Sequence, residues 1–381
     1  MTSRGSAARS AAGPITPRVT VLVPAHDEEE ALPRTLRSLA DQTLRPGRVV
    51  VVADNCSDAT TDVARAHGAD VVETSGNRDR KAGALNQALR RVRTDLVLAL
   101  DADTTITPRF VEDGLRLLDS RPSLGAVGGV FEGESPRGYL RGCQANEYER
   151  YGVQVDVTRR TSVLTGTAAL IRREALEEVA RERGSRLPGV AGDVYDRAAI
   201  TEDSELTLAL RTLGYELASP LSMRCTTELM PSWRDLHRQR VRWYKGMLDN
   251  LAAYGVTRTT LRYHGQQVML TLSAIMLATL VGLTVLAVVT GTFQLVPFWL
   301  AIGGVFLVER LTTVWQAGWR ARALAAGILP ELFYDLALQR AYLHAVWLHH
   351  TGRDAGWHHV TTSDDGRARV PVSTGRAGAG G

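Results

Sequence analysis

Apolar positions along the chain follow two regimes. Early on they come as short, largely β-branched runs, Val19–Val23, Arg48–Ala53, Ala69–Val72 and Leu96–Leu100, the pattern of strands buried on both faces. Between them lie stretches that predict helices, Glu29–Leu39, Ala59–His67 and Ala82–Val92. Such alternation predicts an α/β fold with a parallel sheet covered on both sides, and a ligand site beyond the carboxyl ends of the strands.

The second regime starts at Tyr263. From there to Val308 no Lys, Arg, Asp or Glu occurs. A soluble helix needs a polar face, so this run predicts an α-helical membrane region. Val268–Val289 supplies a first span, close to the ~20 residues that a hydrocarbon core requires. Gly291 and Thr292 break it, and Phe293–Val308 returns. That return is short, so it thins the bilayer or borrows residues beyond Glu309 and Arg310. Arg258 and Arg262 before the hairpin, and Arg310, Arg320 and Arg322 after it, predict that both ends lie on the cytoplasmic side of a plasma (inner) membrane, with a multi-pass chain and the preceding α/β domain in the cytoplasm. Further on, in "ILPELFYDLALQRAYLHAVWLHH", Glu331, Asp335 and Gln339 form one polar stripe. The stripe predicts an interfacial amphipathic helix rather than a third span.

These changes of pattern divide the chain into a tail over 1–17, two halves of an α/β domain over 18–135 and 136–255, the membrane hairpin with its interfacial helix over 256–365, and a Gly/Arg/Ala-rich disordered tail over 366–381. The first tail is small, polar and basic, without the apolar stretch of a secretory signal.

Composition narrows the classes. With 381 residues, 44% hydrophobic and 23% charged, the chain builds a sizeable core, and wholesale disorder is excluded. The excess of +4 is dispersed. A nucleic-acid groove would interleave basic and exposed aromatic residues over a long surface, and only "HRQRVRWYKG", 237–246, does so; no nucleic-acid partner is expected. Cys56, Cys143 and Cys225 form no CxxC pair and are read as reduced thiols. His349, His350, His358 and His359 crowd the end of the chain. Adjacent histidines point different ways on regular backbone, so they are assigned to the membrane interface beside Trp347 and Trp357, not to a metal. Neither GxxxxGK[ST] nor a strand-linked GxGxxG occurs, which removes the glycine loops of phosphate-loop ATPases and dinucleotide oxidoreductases.

The residues that end each strand carry the chemistry. "PAHDEE" follows the first, "DNCSD" the second and "DADT" the fourth. Asp54, Asp101 and Asp103 therefore project into one crevice. Carboxylates two residues apart are costly to hold unless neutralised, and Mg²⁺ or Mn²⁺ does this with one or two carboxylates plus substrate phosphates. A capping Asp and a turn Asp before Pro108 would explain "DAD" equally well by itself. A second acidic cluster, "AITEDSEL", opens a helix with Glu202 and Asp203; there too a cap is the plain alternative. Gln239, Arg242 and Trp243, at i, i+3 and i+4, share one helix face. They present an amide, a guanidinium and an indole together, suited to a pyrophosphate and a stacked sugar ring. Arg234, Arg238, Arg242 and Lys245 form a basic stripe along the same helix, suited to anionic headgroups.

With these motifs the sequence resembles the family 2 glycosyltransferases, inverting enzymes with a GT-A fold. It is most similar to their membrane-embedded branch of cellulose, chitin, hyaluronan and poly-N-acetylglucosamine synthases. The resemblance runs from about Val19 to Tyr254 through "VPAHDEE", "DNCSD", "RKAGALNQAL", "DAD", "TED" and "QRVRW". Each motif is weak alone; six in this order are specific. Asp27 stands where the family often has Asn, and no apolar stretch precedes the domain here, unlike many of the polymerases.

The resemblance implies a Rossmann-like mixed sheet with helices on both faces, followed by the membrane region. It assigns Ala25, Glu28 and Asp54 to the base and ribose pocket, Lys81 and Asp101 to the sugar–nucleotide side, and Asp103, with Asp101, to a Mg²⁺ or Mn²⁺. Asp203 becomes the catalytic base. Glu202, Gln239, Arg242 and Trp243, with Gly166 and Thr167 of "LTGTAALIRR", take the diphosphate and acceptor. The expected partners are a UDP-sugar donor, a glycan or lipid-linked acceptor, and membrane lipids. A homo-oligomer or a partner membrane subunit would complete a channel if the product is a polymer. Three readings compete: a β-glycan synthase-like polymerase in polysaccharide biosynthesis, single-sugar transfer to a lipid-linked or glycolipid acceptor, and a non-catalytic membrane-anchored nucleotide-sugar sensor. A sensor has no use for Asp203.

Overall fold

The computed structural model describes residues 13–134 and 136–354; His358, His359, Trp357 and the terminal tail expected over 366–381 lie outside them. The chain divides into two compact units. One holds the chain through Glu134 with Glu147–Glu228 and Asn250–Gln266; the other holds residues 136–146, Leu229–Asp249 and the chain from Gln267 onward.

The first unit begins with β1 (Ile15–Ala25), α1 (Leu32–Ala40), β2 (Arg45–Ala53), α2 (Thr60–Ala66), β3 (Asp70–Glu73), α3 (Arg80–Leu89) and β4 (Leu96–Leu100). The four apolar runs are the four strands. Strand β1 opens earlier than its apolar run, inside the stretch expected to be tail, because Ile15 pairs with Arg45 and Thr16 with Pro46. Helix α1 starts later than the pattern predicts, with Pro33 in its first turn, where proline's fixed φ and missing N–H suit a helix start.

There follow β5 (Thr105–Ile106), α4 (Phe110–Ser120), β6 (Leu124–Gly128), β7 (Val130–Gly133), α5 (Gly138–Thr158), β8 (Ala168–Arg172), α6 (Arg173–Glu182), α7 (Glu202–Thr212), β9 (Glu216–Ala218) and β10 (Arg224–Thr227). Seven strands form one sheet in the order β3-β2-β1-β4-β8-β6-β9, and β5-β10-β7 form a small second sheet. The first four strands are parallel, as expected. Strand β8 runs antiparallel to both β4 and β6, so the sheet is mixed. Its strands alternate between two cores. Val19, Val21 and Val23 meet Leu32, Leu36 and Leu39 of α1 and Phe110, Leu115 and Leu118 of α4. Leu22, Val50 and Val52 meet Leu85 and Ala88 of α3, Leu176 of α6 and Leu206 and Leu210 of α7. The chain winds outward from β1 to β3 and then returns to β4 on the other side of β1. This reversal opens a crevice at the strands' carboxyl ends.

The second unit is helical: the start of α5, most of α8 (Trp233–Tyr254) and of α9 (Leu261–Val289), then α10 (Pro297–Thr313), α11 (Trp319–Ala326) and α12 (Ile328–His350). Among the described residues, α9 is the one helix long and apolar enough to cross a membrane. The return leg is the 17-residue α10. It starts at Pro297, after the predicted Phe293, and takes in Glu309 and Arg310. Many of the large apolar side chains of both helices are exposed, Leu286 at 57%, Val289 at 78% and Trp299 at 60%. The polar stripe of α12 has a partner that its spacing did not reveal: Arg310 of α10 pairs with both Glu331 and Asp335, and Glu331 is 1% exposed. Two residues of the stripe, Glu331 and Asp335, are thus engaged by a cation of the same unit.

Candidate active site

Two loops and the start of α3 at the sheet's carboxyl edge hold non-glycine residues at positive φ, Asp27 at 55°, Asn55 at 52° and Arg80 at 56°. Such backbone costs ~1–3 kcal/mol per residue and persists only where its surroundings over-determine it. Here they do. Asp27 Oδ1 accepts the Ser57 amide at 2.6 Å, Asn55 Nδ2 donates to Asp54 Oδ1 at 2.9 Å, and Asn77 Nδ2 donates to the Arg80 carbonyl at 2.8 Å. Asp54 is buried where β2 ends; its Oδ1 also accepts Thr74 Oγ1 at 2.8 Å, and its amide donates to the carbonyl of Ala25 at 2.8 Å. Ala25 and Asp54 thus share one floor.

Lys81, in the first turn of α3, is the hub. Its Nζ lies 2.6 Å from Asp101 Oδ1 and 2.8 Å from Glu202 Oε1, and 3.3 Å from the Gly166 carbonyl oxygen. Burial works against its charge, but the Asp101 and Glu202 carboxylates outweigh it and hold the ammonium well above its ordinary pKa. One cation therefore ties together α3, the end of β4, the loop before β8 and the start of α7.

Asp203 sits in the first turn of α7. Its Oδ2 accepts the Gly166 amide at 3.0 Å, and its Oδ1 the Ser204 amide at 2.7 Å. A Cβ at Gly166 would be tight here, 3.1 Å from Asp203 Oδ2 and 3.3 Å from its Cγ, so a larger residue would press on the carboxylate. Burial, with the neighbouring Glu202 charge, raises the Asp203 carboxyl; Lys81 and the two amides pull it back without cancelling the rise. A carboxylate raised in this way is a better proton acceptor. Thr167 lies beside it in the chain; its carbonyl accepts the Asp101 amide at 2.9 Å, which locks the end of β4 to the Gly166 loop.

Away from Lys81 further carboxylates crowd one another, with Glu228 also paired to Arg34 Nη2 at 3.2 Å. Burial, then the charge of Glu228, raises Asp103. Burial, then Asp103, Glu228 and Asp101, pushes Glu28 up to about 9. Carboxylates that crowd one another like this suit a divalent cation, and Asp103 at their centre fits the donor set expected for Mg²⁺ or Mn²⁺. Asp101 is instead engaged by Lys81. The tightest group of potential ligand atoms among the described residues lies elsewhere, at Asp27, Cys56 and Asp58, where Asp27 already caps the Ser57 turn.

In the second unit, Gln239, Arg242 and Trp243 lie on α8 as the i, i+3, i+4 spacing predicts. Gln239 Oε1 is buried without a hydrogen-bond partner, and the indole of Trp243 is covered by the guanidinium of Arg240, 4.3 Å from the ring centre. The basic stripe is shorter than its spacing implies, because Lys245 is buried against Asp249 at 2.5 Å. Of the histidines that spacing left to the interface, His349 has a partner within this unit: its Nδ1 is 2.7 Å from Asp249 Oδ1. His344 Nδ1, not among them, is 3.0 Å from His237 Nε2.

The model of the family described as "Glycosyltransferase like family 2" matches residues 17–246. The chain belongs to the family 2 glycosyltransferases. Relatives include a probable glycosyltransferase, YdaM, of Bacillus subtilis strain 168, 29% identical over 245 residues, 60% of this chain and 55% of that protein. A poly-β-1,6-N-acetyl-D-glucosamine synthase of Staphylococcus epidermidis is 24% identical over 242 residues, 60% of this chain and 54% of that one. The chain spans about half the length of the curated relatives it matches. Among solved structures, the mannosyltransferase PcManGT of Pyrobaculum calidifontis, in complex with GDP-Man and Mn2+, shares the fold with a TM-score of 0.60 at 20% identity over 90% of both chains.

Within this family 2 domain, sequence reasoning missed several site residues. Glu228, just past β10, belongs to no motif, yet its charge acts on both Asp103 and Glu28. Tyr195 is buried and lines a small pocket with Lys81, Gly166, Glu202 and Asp203. It comes from an irregular segment with no spacing to mark it. The available signal was Asn86 of "KAGALN", whose side chain accepts the amides of Val194 and Tyr195 at 3.0 and 2.9 Å and donates to the Tyr195 carbonyl at 2.8 Å.

Proposed function

We propose that the chain is an inverting glycosyltransferase that moves a sugar from a UDP-sugar to an acceptor hydroxyl at the cytoplasmic face of a membrane, in the manner of the β-glycan synthases. The observation that carries this reading is Asp203, held by two amides beside the Lys81–Asp101–Glu202 cluster with its basicity raised. Asp203 takes the proton of the acceptor hydroxyl as that oxygen bonds to the anomeric carbon from the face opposite the diphosphate. The bond from the anomeric carbon to the diphosphate oxygen breaks, and its electrons leave with the nucleotide. One displacement inverts the configuration.

Ala25, Glu28 and Asp54 are assigned to base and ribose, and Lys81 to the donor side. Asp103 would hold Mg²⁺ or Mn²⁺, with Asp101 alongside; such an ion supplies charge neutralisation for a departing diphosphate. Gly166, Thr167, Glu202, Gln239, Arg242 and Trp243 are assigned to diphosphate and acceptor. The unpartnered Gln239 Oε1 supports a ligand at that helix face.

The exposed apolar surfaces of α9 and α10 support insertion into a bilayer. Arginines also lie over tryptophans at the helix ends, Arg322 over Trp315, Arg320 over Trp319 and Arg353 over Trp347, the pairing expected of interfacial anchors. The names of the staphylococcal relatives support a polymer product. The short α10, with Glu309 and Arg310 near its end, favours the second reading, transfer of one sugar to a lipid-linked acceptor, because so slight a hairpin encloses no channel. The test is a screen of UDP-sugars with Mg²⁺ or Mn²⁺ on membrane-purified protein, with product sizing. Chains of many sugars support the synthase and a single addition the second reading. Intact donor binding without turnover of any nucleotide sugar rejects both and leaves a sensor.

A further inference from the structure

The proposed mechanism uses Asp203 and leaves unexplained a buried ionic network two residues further along the same helix. Glu205 is 1% exposed and faces Arg183, whose side chain is fully buried. The guanidinium binds both carboxylate oxygens, with 2.7 Å between Nη2 and Oε2. Its remaining N–H groups go to the carbonyls of Pro188 at 2.9 Å from Nη1, and of Val194 at 2.5 Å from Nη2 and 3.2 Å from Nε. All five donors of Arg183 are therefore used. On its other side Glu205 Oε1 accepts the phenol of Tyr254 at 2.5 Å. Asn250, one helical turn before Tyr254, donates to the carbonyl of Thr201 at 3.3 Å; the same carbonyl accepts the Glu205 amide at 3.2 Å.

A buried ion pair of this kind gains little over apolar packing of equal volume; in some proteins its return is a single fixed conformation. What this one fixes is the first turn of α7, the turn that carries Glu202 and Asp203. Arg183 ties that turn to the segment that ends at Tyr195, and Tyr254 and Asn250 tie it to the last turn of α8. Earlier turns of α8 carry Gln239, Arg242 and Trp243.

We propose that Tyr254, acting through Glu205, is a positioning residue for the Asp203 carboxylate, and that the last turn of α8 is the anchor of the base-bearing helix. The assignment rests on Asp203 as the base. Loss of the Tyr254 hydroxyl leaves the Glu205 charge paired with Arg183 and keeps the aromatic ring, so the fold survives while the first turn of α7 loosens. Near-attack geometry is steep in distance; displacement by 1 Å costs on the order of 10²-fold in rate, and a loosened turn that samples the productive position part of the time costs about tenfold.

The test uses Tyr254→Phe and Asn250→Ala in the full chain, purified in detergent, with two readouts. Amide hydrogen exchange of peptides over 200–212 is compared with that over β4. Transfer is measured with whichever UDP-sugar the wild type turns over best. The expected result is faster exchange at the start of α7 with β4 unchanged, kcat about tenfold lower in Tyr254→Phe, and a donor KM within about twofold of wild type. Unchanged exchange at α7, or an unchanged kcat in Tyr254→Phe, overturns the proposal; so does an equal rise in exchange over β4, which marks general loosening. If the wild type transfers no sugar at all, the function assigned to Asp203 fails separately, and the exchange data alone decide whether α8 anchors α7.

Discussion

The two units place the same residue types in opposite surroundings. In β1 and β4, Val21 and Leu98 are 0% exposed; in α9, Leu286 and Val288 are 57% and 60% exposed. Burial stabilises the first set by about 25 cal/mol per Å² of apolar surface removed from water. The second set leaves that contribution unmade, and in water it would form an apolar patch of the kind that marks an interaction surface. Charges show the converse. The first unit gathers Asp101 and Glu202 on Lys81, with Asp203 beside them, while Asp103, Glu28 and Glu228 crowd one another and Arg34 engages Glu228. The second unit's Arg310 is matched internally by Glu331 and Asp335.

This division can be broken by variants that act on one unit only. The largest effect is expected from Asp203→Asn, which keeps the Gly166 loop and the donor pocket but removes the base. Transfer should fall by ~10²-fold or more, with nucleotide binding and membrane fractionation unchanged; turnover near the wild-type level would remove Asp203 from that role. Chelation should also lower transfer by ~10²-fold, a few kcal/mol of lost charge stabilisation. Added Mn²⁺ should restore the wild type but not Asp103→Ala, as read from nucleotide release. A charge in the middle of α9, Leu280→Arg, should cost ~3 kcal/mol of insertion and shift the protein out of the carbonate-resistant membrane fraction, while UDP binding persists.

Smaller effects sharpen the comparison. In the proposed role Asp203 would act as a base only when ionised, and burial beside Glu202 raises it. The rate should therefore fall as pH drops through a midpoint above the ordinary Asp value of about 4, and a kcat–pH profile locates that limb. Trp243→Ala should lower transfer with attachment intact. Arg234→Ala should do the reverse and modestly so, about 1 kcal/mol for one exposed cation near anionic headgroups, measured by sedimentation with phosphatidylglycerol vesicles.

Much of the first unit was legible because parallel strands buried on both faces read as apolar runs, and because Asp54 and Asp101 follow those runs directly. Leu96–Leu100 matched β4 to the residue, and the helix opened by Glu202 is α7. The antiparallel β8 was not legible from its run alone: an apolar run gives a strand but no direction, which depends on the neighbours it pairs with. The Asp101–Lys81–Glu202 cluster was legible only as three separate motifs. Glu228 was not legible at all, and Tyr195 only indirectly through Asn86, since both come from irregular segments that the fold alone returns to the site.

The sequence by itself determined which segments are strands and helices, that carboxylates stand at strand ends, and that one helix is apolar over a membrane's thickness, because backbone periodicity and local composition fix these over a few neighbouring residues. Only the tertiary structure decided that Lys81 belongs to both Asp101 and Glu202, that Arg310 pairs with Glu331 and Asp335 of α12, and that Tyr254 reaches Glu205. Each of these joins residues distant in sequence, and charge pairing across such distances depends on Coulomb and hydrogen-bond geometry that exists only after the chain has folded.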